Sequence, residues 1–261
     1  MGTLHRIRAP GRGELSISPG SRRTVLRAGV SAALPLLAAG LSACARGEGG
    51  MPDQASAASR PSAPLVPPIT YVALGASDAV GWGTARPRRD GWVPVLARQL
   101  PQPTQVVNLG VPAITLGEAL EETLPQALAA RPDLVTVWLV VNDIISGVRL
   151  DQYRADLDRL LARLRTSTEA VIAIGNVPKP PARLGRVELP DIARRTVTAA
   201  WNGAIAALAR QHAAILVDLY ARWQVADHPE YLGPDGLHPT AEGHQTLART
   251  FLQALQEQRL V

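Results

Sequence analysis

Residues 69–83 have the sequence ITYVALGASDAVGWG, an apolar run that ends abruptly at Gly75 and continues into small residues. A partly β-branched run of this kind is typical of a buried strand, and the glycines at 81 and 83 permit a tight turn before the next helix. Ser77 therefore follows the carboxyl end of a predicted strand, where open α/β sheets bind their ligands. The pattern favours an exposed nucleophile, although a strand-ending turn with an incidental serine would look the same.

Three known motifs can be compared with this turn. A dinucleotide fingerprint needs glycines at relative positions one, three and six, and the last two of these are Ser77 and Val80 here. A P-loop ends in Gly-Lys-Ser/Thr, and the turn contains no lysine. The esterase elbow G-x-S-x-G fits only if Ala79 replaces its second glycine. The spacing excludes both phosphate-binding turns and leaves a serine nucleophile open.

Beyond residue 69, short apolar runs alternate with helical patterns. The predicted strands are 69–75, 105–109, 134–141, 170–174 and 214–219, and the predicted helices are 89–100, 116–130, 150–165, 189–212 and 240–258. Near-continuous apolar strands alternating with helices indicate a parallel sheet that is covered on both faces. We therefore predict a three-layer α/β/α fold, doubly wound and flavodoxin-like, with about five strands.

Polar or glycine positions follow several of these strands. Ser77, Gly110 and Asn142 come after the first, second and third strands, and residues 233–240 join the fifth strand to the last helix. Because the carboxyl ends of parallel strands share one edge of the sheet, these positions should converge on one crevice.

The convergent positions resemble the four sequence blocks of SGNH (GDSL-type) hydrolases over roughly residues 69–257. The blocks occur in family order as Gly75-x-Ser77-x-x-x-Gly81, Gly110, Asn142 and Asp235-x-x-His238. The resemblance implies the fold predicted above and a serine esterase that hydrolyses carboxylic esters of lipid or O-acyl carbohydrate type.

The resemblance also implies the role of each site residue. Ser77 would attack the ester carbonyl, His238 would take its proton, and Asp235 would orient the imidazole. The N–H groups of Ser77 and Gly110 and the side-chain amide of Asn142 would form the oxyanion hole. No cofactor is implied.

The sequence departs from the family pattern at two positions near the site. Ala76 replaces the usual aspartate before the nucleophile, although Asp78 follows it, and Val140 replaces the usual glycine two residues before the asparagine. Neither departure removes a triad or oxyanion-hole group. Because both departures affect the hydrogen bonding around the turn that carries Ser77, one alternative is a catalytically silent surface lipoprotein that binds glycans or lipids. A second alternative, a solute-binding lipoprotein, is disfavoured because such proteins normally need two lobes.

Other residues are assigned on weaker patterns. Trp82 and the proline-rich loop 176–184 are candidates to line the cleft, and Asp218 is an alternative acid. The remaining histidines of the domain have no convincing metal-ligand spacing, so we predict structural or surface roles for them and no metal. These histidines are His212, His228 and His244.

The N-terminus has the features of an export signal over residues 1–43. Ser21-Arg22-Arg23-Thr24-Val25-Leu26 resembles a twin-arginine signal, and an apolar segment follows that is too short to span a bilayer comfortably. Leu41-Ser42-Ala43-Cys44 resembles a lipobox, and Cys44 is the only cysteine of the chain. Lipidation at Cys44 is the prediction, and simple cleavage of a signal peptide is the alternative.

The charge distribution limits the partners of the protein. Residues 1–43 contain six arginines and one glutamate, which leaves 21 of 27 basic and 21 of 22 acidic residues in the remainder. The net charge of +5 thus belongs to the leader, and composition gives no case for nucleic-acid binding. Residues 44–68 are rich in Gly, Ala, Ser and Pro and are predicted to tether a hydrolase domain, residues 69–261, to the extracytoplasmic face of a membrane. We expect a monomer whose only membrane contact is a lipidated Cys44, or, without lipidation, a secreted protein.

Overall fold

A computed structural model describes residues 63–184, 187–188 and 190–261. The predicted export signal, Cys44 and most of the predicted tether lie outside the described residues, so these assignments stay predictions. In the described part of the chain, no helix is both long and apolar enough to cross a membrane.

The elements follow one another as alternating strands and helices. The strands are β1 (Ile69–Gly75), β2 (Thr104–Asn108), β3 (Leu134–Trp138), β4 (Val171–Gly175), β5 (Arg183–Leu184), β6 (Val187–Glu188) and β7 (Ile215–Val217). The helices are α1 (Ser77–Val80), α2 (Pro87–Asp90), α3 (Trp92–Ala97), α4 (Leu116–Glu122), α5 (Leu124–Ala129), α6 (Val141–Ile145), α7 (Leu150–Ser167), α8 (Asp191–Gln211), α9 (Leu219–Arg222) and α10 (Ala241–Glu257). A short 3₁₀ helix spans Pro229–Tyr231.

Five strands form one parallel sheet in the order β2-β1-β3-β4-β7. In the register, Val72 of β1 pairs with Val107 of β2 on one side and with Val135 of β3 on the other. The strand order reverses at β1, which opens a crevice at the carboxyl ends of β1 and β3. The predicted fold is confirmed.

The core is formed where the helices cover this sheet. α3 packs against α10, while α7 packs against α4 and α8. Trp92 of α3 and Phe251 of α10 are both fully buried, and their rings stack with centroids 4.7 Å apart. Burying aromatic side chains of this size contributes strongly to stability because each removes a large apolar area from water.

Two predicted helices are each broken in two. Residues 89–100 divide at Gly91, which has an extended backbone (φ −63°, ψ 152°) and sits so close to Pro87 that a Cβ would lie 2.7 Å from its carbonyl oxygen. Residues 116–130 divide at Thr123, because Pro125, in the first turn of the second helix, has no N–H to continue the first. Apolar periodicity runs through both breaks and does not reveal them.

The third strand is shorter than predicted. β3 ends at Trp138, and Val141 already belongs to α6. Leu139 and Val140 are buried although they are outside the strand, so the apolar run continues through the turn. The antiparallel pair β5–β6 was not predicted, because each strand has only two residues.

The core also includes residues before β1. The N–H of Leu65 donates to the carbonyl of Leu260 at 2.9 Å, and both side chains belong to the hydrophobic core. Packing therefore begins inside the segment that was predicted as a tether.

Candidate active site

We call residues 75–83 the nucleophile turn, after the predicted nucleophile Ser77. It leads from the carboxyl end of β1 into the short helix α1, which begins with Ser77. Gly81 ends this helix with φ +94°, and its N–H donates to the carbonyls of Ser77 and Asp78. A Cβ at Gly81 would lie 2.8 Å from the carbonyl oxygen of Pro87, so both the backbone conformation and the space require glycine. The turn places Ser77 at the crevice, as predicted.

Ser77, His238 and Asp235 form a continuous chain of hydrogen bonds. Nδ1 of His238 lies 2.6 Å from Oδ2 of Asp235, and Nε2 lies 2.9 Å from Oγ of Ser77. Because a carboxylate only accepts, Nδ1 carries the proton, and Nε2 is left to accept from the serine hydroxyl. This is the arrangement in which a histidine can act as general base toward a serine.

Asp235 is held in place by its own loop. Its Oδ1 accepts from the N–H groups of Leu237 and His238 at 2.9 and 3.0 Å, and Gly233 N–H donates to the carbonyl of His238. Partial burial on its own raises the pKa of Asp235, but the hydrogen bonds from His238 and from these two N–H groups outweigh it. The pKa of Asp235 is therefore below its ordinary value, so the carboxylate stays charged beside the imidazole.

Asn142 lies opposite the serine in a small pocket of about 40 Å³, the catalytic pocket, whose lining includes Ser77, Asn142 and His238. Nδ2 of Asn142 donates one hydrogen to the carbonyl of Ile114 at 3.0 Å. The side-chain amide has two hydrogens, so this contact orients it and leaves the second available. Ser77 is the first residue of α1, so its N–H has no partner within that helix.

Gly110, the other predicted oxyanion-hole residue, lies beside the nucleophile turn and is not among the residues that line the catalytic pocket. Its N–H donates to Oδ1 of Asn108 at 3.0 Å, and a Cβ on it would lie 2.9 Å from Cβ of Ala79 and 3.0 Å from the carbonyl oxygen of Ala76. Gly110 therefore packs against the nucleophile turn and supports it, and its N–H is bonded to the side chain of Asn108. Asn108 adds a bond from Nδ2 to the carbonyl of Ala79 at 2.6 Å.

Asp78 follows Ser77, on the other side of it from Ala76, which stands where the family pattern has its aspartate. Oδ1 accepts from the N–H of Ala76 at 3.3 Å, and Oδ2 accepts from Nε1 of Trp92 at 2.9 Å. Burial raises the pKa of Asp78 from 3.8 to about 6, against the opposing effect of these hydrogen bonds. The carboxylate that is missing at Ala76 is thus supplied from the other side of the serine.

His244 of α10 extends this support to the far side of the turn. Its Nδ1 accepts from the N–H of Trp92 at 3.2 Å, so Nε2 carries the proton and donates to the carbonyl of Trp82 at 2.8 Å. Burial lowers the pKa of His244, and nearby His238 lowers it further. His244 is therefore a neutral structural residue, and it links helix α10 to the loop that follows the nucleophile.

The other predicted residues divide between the site and the surface. The ring of Trp82 lies 5.2 Å from that of His238, beside the site. Val140 has φ −146°, so this position does not need the glycine of the family pattern. Asp218 caps α9 and binds the side chain of Asn176 at 2.9 Å, away from the triad.

His212 and His228 pair with carboxylates near the surface, at 2.7 Å to Asp158 and 2.9 Å to Glu230. Among the described residues, no cluster of three or more His, Cys, Asp or Glu could hold a metal ion.

A larger apolar cleft of about 250 Å³ opens beside the catalytic pocket and shares Trp138, Val141 and Leu237 with it. We call it the apolar cleft; the rest of its lining includes Ile144 and Ile145 of α6, Pro178, Pro180 and Pro181 of the loop after β4, and Trp223 and Val225. The prolines of the loop 176–184 thus line the apolar cleft and not the catalytic pocket.

Residues 73–246 match the GDSL-like Lipase/Acylhydrolase family. The chain belongs to this family. The matched range runs from β1 to α10 and so includes Ser77, Asn142, Asp235 and His238.

Individual relatives of this GDSL-like protein are distant. An acetylxylan esterase from Geobacillus stearothermophilus is 25% identical over 164 residues, which cover 58% of this chain and 72% of the relative. The solved lipase/acylhydrolase from Enterococcus faecalis is 19% identical with a TM-score of 0.60, covering 74% of this chain and 97% of that one. The solved acetylxylan esterase Axe2 from G. stearothermophilus is 22% identical with a TM-score of 0.56, covering 72% and 94%. These structures share the fold, and family membership makes the protein a carboxylic ester hydrolase.

Sequence reasoning missed the residues that support the nucleophile turn. Asp78, Trp92 and His244 are far apart in the chain, and their contacts depend on how α3 and α10 pack together. The available signal was an aspartate after the serine, in a motif that lacks its usual aspartate before the serine.

Asp143 is a buried residue that the sequence analysis did not identify. Its carboxylate accepts from the N–H of Leu116, the first residue of α4, and burial raises its pKa to about 6.

Proposed function

We propose that this GDSL-like ester hydrolase acts through a Ser-His-Asp mechanism in which Ser77 is the nucleophile. The observation that carries the proposal is the continuous hydrogen-bond chain from Asp235 through His238 to Ser77, at the edge of a pocket that also contains Asn142. Ser77 and the Asp235–His238 pair come from distant parts of the sequence and meet at hydrogen-bonding distance, in an order that gives each of the three groups a chemical role.

The geometry supports the following steps. His238 Nε2 takes the hydroxyl proton as Ser77 Oγ attacks the ester carbonyl carbon, and Asp235 stabilises the imidazolium that forms. The N–H of Ser77 and the free hydrogen of the Asn142 amide donate to the developing oxyanion. His238 then protonates the departing alkoxide oxygen, which leaves an acyl group on Ser77. Water, deprotonated by His238, attacks the carbonyl carbon of this acyl-enzyme; the bond to Ser77 Oγ then breaks, His238 returns the proton to Oγ, and the acid is released.

The predicted substrates remain carboxylic esters of lipid or O-acyl carbohydrate type. One relative is named an acetylxylan esterase and another a lipase/acylhydrolase, so these distant relatives include both types. No cofactor takes part in the proposed steps. A silent lipoprotein that only binds glycans or lipids would lack any serine-dependent turnover.

The first test compares the wild-type protein with Ser77→Ala on short- and medium-chain p-nitrophenyl esters. We expect the substitution to lower kcat by about 10⁴-fold or more, because residues of a triad act as one unit. A fluorophosphonate probe should label the wild-type protein at Ser77 and leave the variant unlabelled, and circular dichroism should show that both are folded. Equal turnover in the two proteins, or labelling at another residue, would rule out this nucleophile.

We further propose that the protein is exported and anchored by a lipid on Cys44, based on the twin-arginine and lipobox patterns of residues 1–43. In a bacterial host, metabolic labelling with palmitate should mark the wild-type chain and not Cys44→Ala, and replacing Arg22 and Arg23 by lysine should stop export. An unlabelled, fully secreted wild-type chain would instead indicate simple cleavage of the leader.

A further inference from the structure

The apolar cleft lies next to the reacting groups. Val141 directly precedes Asn142, and Leu237 directly precedes His238, so the wall of the cleft continues into both sides of the catalytic pocket. A group that enters the cleft from an ester bound at Ser77 therefore does not have to cross solvent. The catalytic pocket itself holds only about 40 Å³, too little for more than the reacting centre of a substrate.

The lining of the cleft offers almost nothing to a polar ligand. The indole N–H of Trp138 already donates to the carbonyl of Asn176, and that of Trp223 donates to the carbonyl of Gly243, both at 3.2 Å. Arg194 is the one charged residue among the described lining residues, and its guanidinium binds the carbonyl of Pro180 and the carboxylate of Asp191. A sugar in this cleft would bury hydroxyl groups without hydrogen-bond partners, which is unfavourable. A hydrocarbon chain has no hydrogen bonds with water to give up when it enters the cleft.

The direction of the substrate follows from the roles of the groups around Ser77. The departing alcohol must lie near Nε2 of His238, on whose side the half-exposed Trp82 packs. The carbonyl oxygen must face Asn142, and Val141, next to it, begins the wall of the apolar cleft. Because Trp82 packs on the His238 side and does not line the apolar cleft, the alcohol is directed toward Trp82 and the cleft is left for the acyl chain.

From these observations, and resting on the esterase proposed above, we propose that the apolar cleft binds the acyl chain of the substrate. The preferred acyl group is a hydrocarbon chain of about six to ten carbons. An engineered cavity of about 150 Å³ holds one benzene molecule, so a cleft of about 250 Å³ has room for roughly ten carbons. The substrate class is then a medium-chain acyl ester, and an acetyl ester would leave the cleft empty.

The test uses the full-length protein and two ester series. With p-nitrophenyl esters from acetate to dodecanoate, kcat/KM should rise by up to about fourfold for each methylene that enters the cleft, and level off near ten carbons. With acetate esters of alcohols of increasing length, kcat/KM should change by less than about threefold over the series. Preference for acetate, or a rise along the alcohol series alone, would overturn the acyl-chain assignment while leaving the serine mechanism intact.

Variants of the lining separate the cleft from general effects. Ile144→Trp should fill the cleft and lower the ratio of octanoate to acetate hydrolysis at least tenfold, and Ile145→Ser, at an exposed rim position, should lower it a few-fold. Ile192→Ser is the matched control, because Ile192 is also an exposed helical isoleucine but does not line the cleft. An unchanged ratio in both cleft variants would overturn the proposal.

A binding experiment distinguishes failure of the cleft from failure of the esterase. Ser77→Ala should bind octanoate in calorimetry with a negative heat-capacity change, and adding Ile144→Trp should abolish the binding. If no ester is hydrolysed but this binding is seen, the esterase proposal fails and the chain-binding cleft is supported. If esters are hydrolysed and octanoate does not bind, the cleft assignment is overturned.

Discussion

At the scale of single residues, the nucleophile turn is supported by side chains that the catalytic steps do not use. Asp78 accepts from the backbone of Ala76 and from the indole of Trp92, and Asn108 binds the carbonyl of Ala79. Each bond fixes part of the backbone on either side of Ser77. A serine held in this way does not need to be ordered when the substrate arrives, which lowers the entropic cost of reaching the transition state.

The titration of Asp78 should be visible in the stability of the protein. Burial raises the pKa of Asp78 from 3.8 to about 6, so folding favours the protonated side chain. The resulting contribution to the free energy of unfolding is fully present below pH 3.8 and is lost as the pH rises through about 6. In Asp78→Asn this titration is absent, while the amide oxygen can still accept from Trp92. The Tm of the variant relative to wild type should therefore increase by several degrees between pH 4 and pH 7. Parallel Tm curves for the two proteins over this range would contradict the assignment.

Asp235 is expected to act through the orientation and charge of His238. In Asp235→Asn, an amide N–H can face Nδ1 and favour the tautomer in which Nε2 carries the proton, so His238 could no longer accept from Ser77. We expect kcat to fall by roughly 10³–10⁴-fold with a smaller change in KM. The matched control is Asp218→Asn, which should leave kcat within about twofold because Asp218 caps α9 instead. A large loss in Asp218→Asn would contradict the assignment of the triad acid.

At the scale of elements, the site depends on two loops that approach each other closely. Gly83, six residues after Ser77, has φ +91°, and a Cβ on it would overlap the carbonyl oxygen of Pro239, which follows His238. The loop from β1 and the loop into α10 can therefore touch only through a glycine. This contact, together with the bond from His244 to Trp82, sets the distance between Ser77 and His238.

A pair of glycine substitutions tests this contact. Gly83→Ala should lower the free energy of unfolding by at least about 1–3 kcal/mol and reduce kcat, because either the backbone or the His238 loop must move. Gly203→Ala is the matched control: Gly203 lies within α8, and a Cβ on it would meet no atom of another segment within 4 Å. Alanine there should stabilise the helix by about 0.5–1 kcal/mol and leave kcat unchanged. Chemical denaturation and kcat measurements on both variants provide the check, and a fully active, equally stable Gly83→Ala would show that the loops are not closely coupled.

At the scale of the whole molecule, the hydrolase core includes the segment before β1. Leu65 packs into the core and bonds to Leu260 near the C-terminus. Leu65 lies before the amino end of β1, whereas Ser77 follows the carboxyl end of that strand. Loss of the Leu65 contact should therefore affect stability and not the chemistry.

Two shortened chains test this boundary. A chain that begins at Ile69 should be less stable than one that begins at Ala63 by about 1.5–3 kcal/mol, the contribution of one buried leucine. Both should have the same kcat/KM on p-nitrophenyl esters at a temperature where both are folded. Equal Tm values would mean that Leu65 adds nothing, and a selective loss of activity would mean that the segment reaches the site.

The sequence by itself determined the five strands of the parallel sheet and their alternation with helices, and it predicted that Ser77, Asn142, Asp235 and His238 would lie at one edge of that sheet. It could do so because apolar periodicity records burial, and because the carboxyl ends of parallel strands must meet at one edge of the sheet. The tertiary structure alone decided the breaks at Gly91 and Thr123, the packing role of Gly110, and the apolar cleft. These features depend on which atoms of distant segments come into contact, and a pattern of neighbouring residues along the chain contains no record of such contacts.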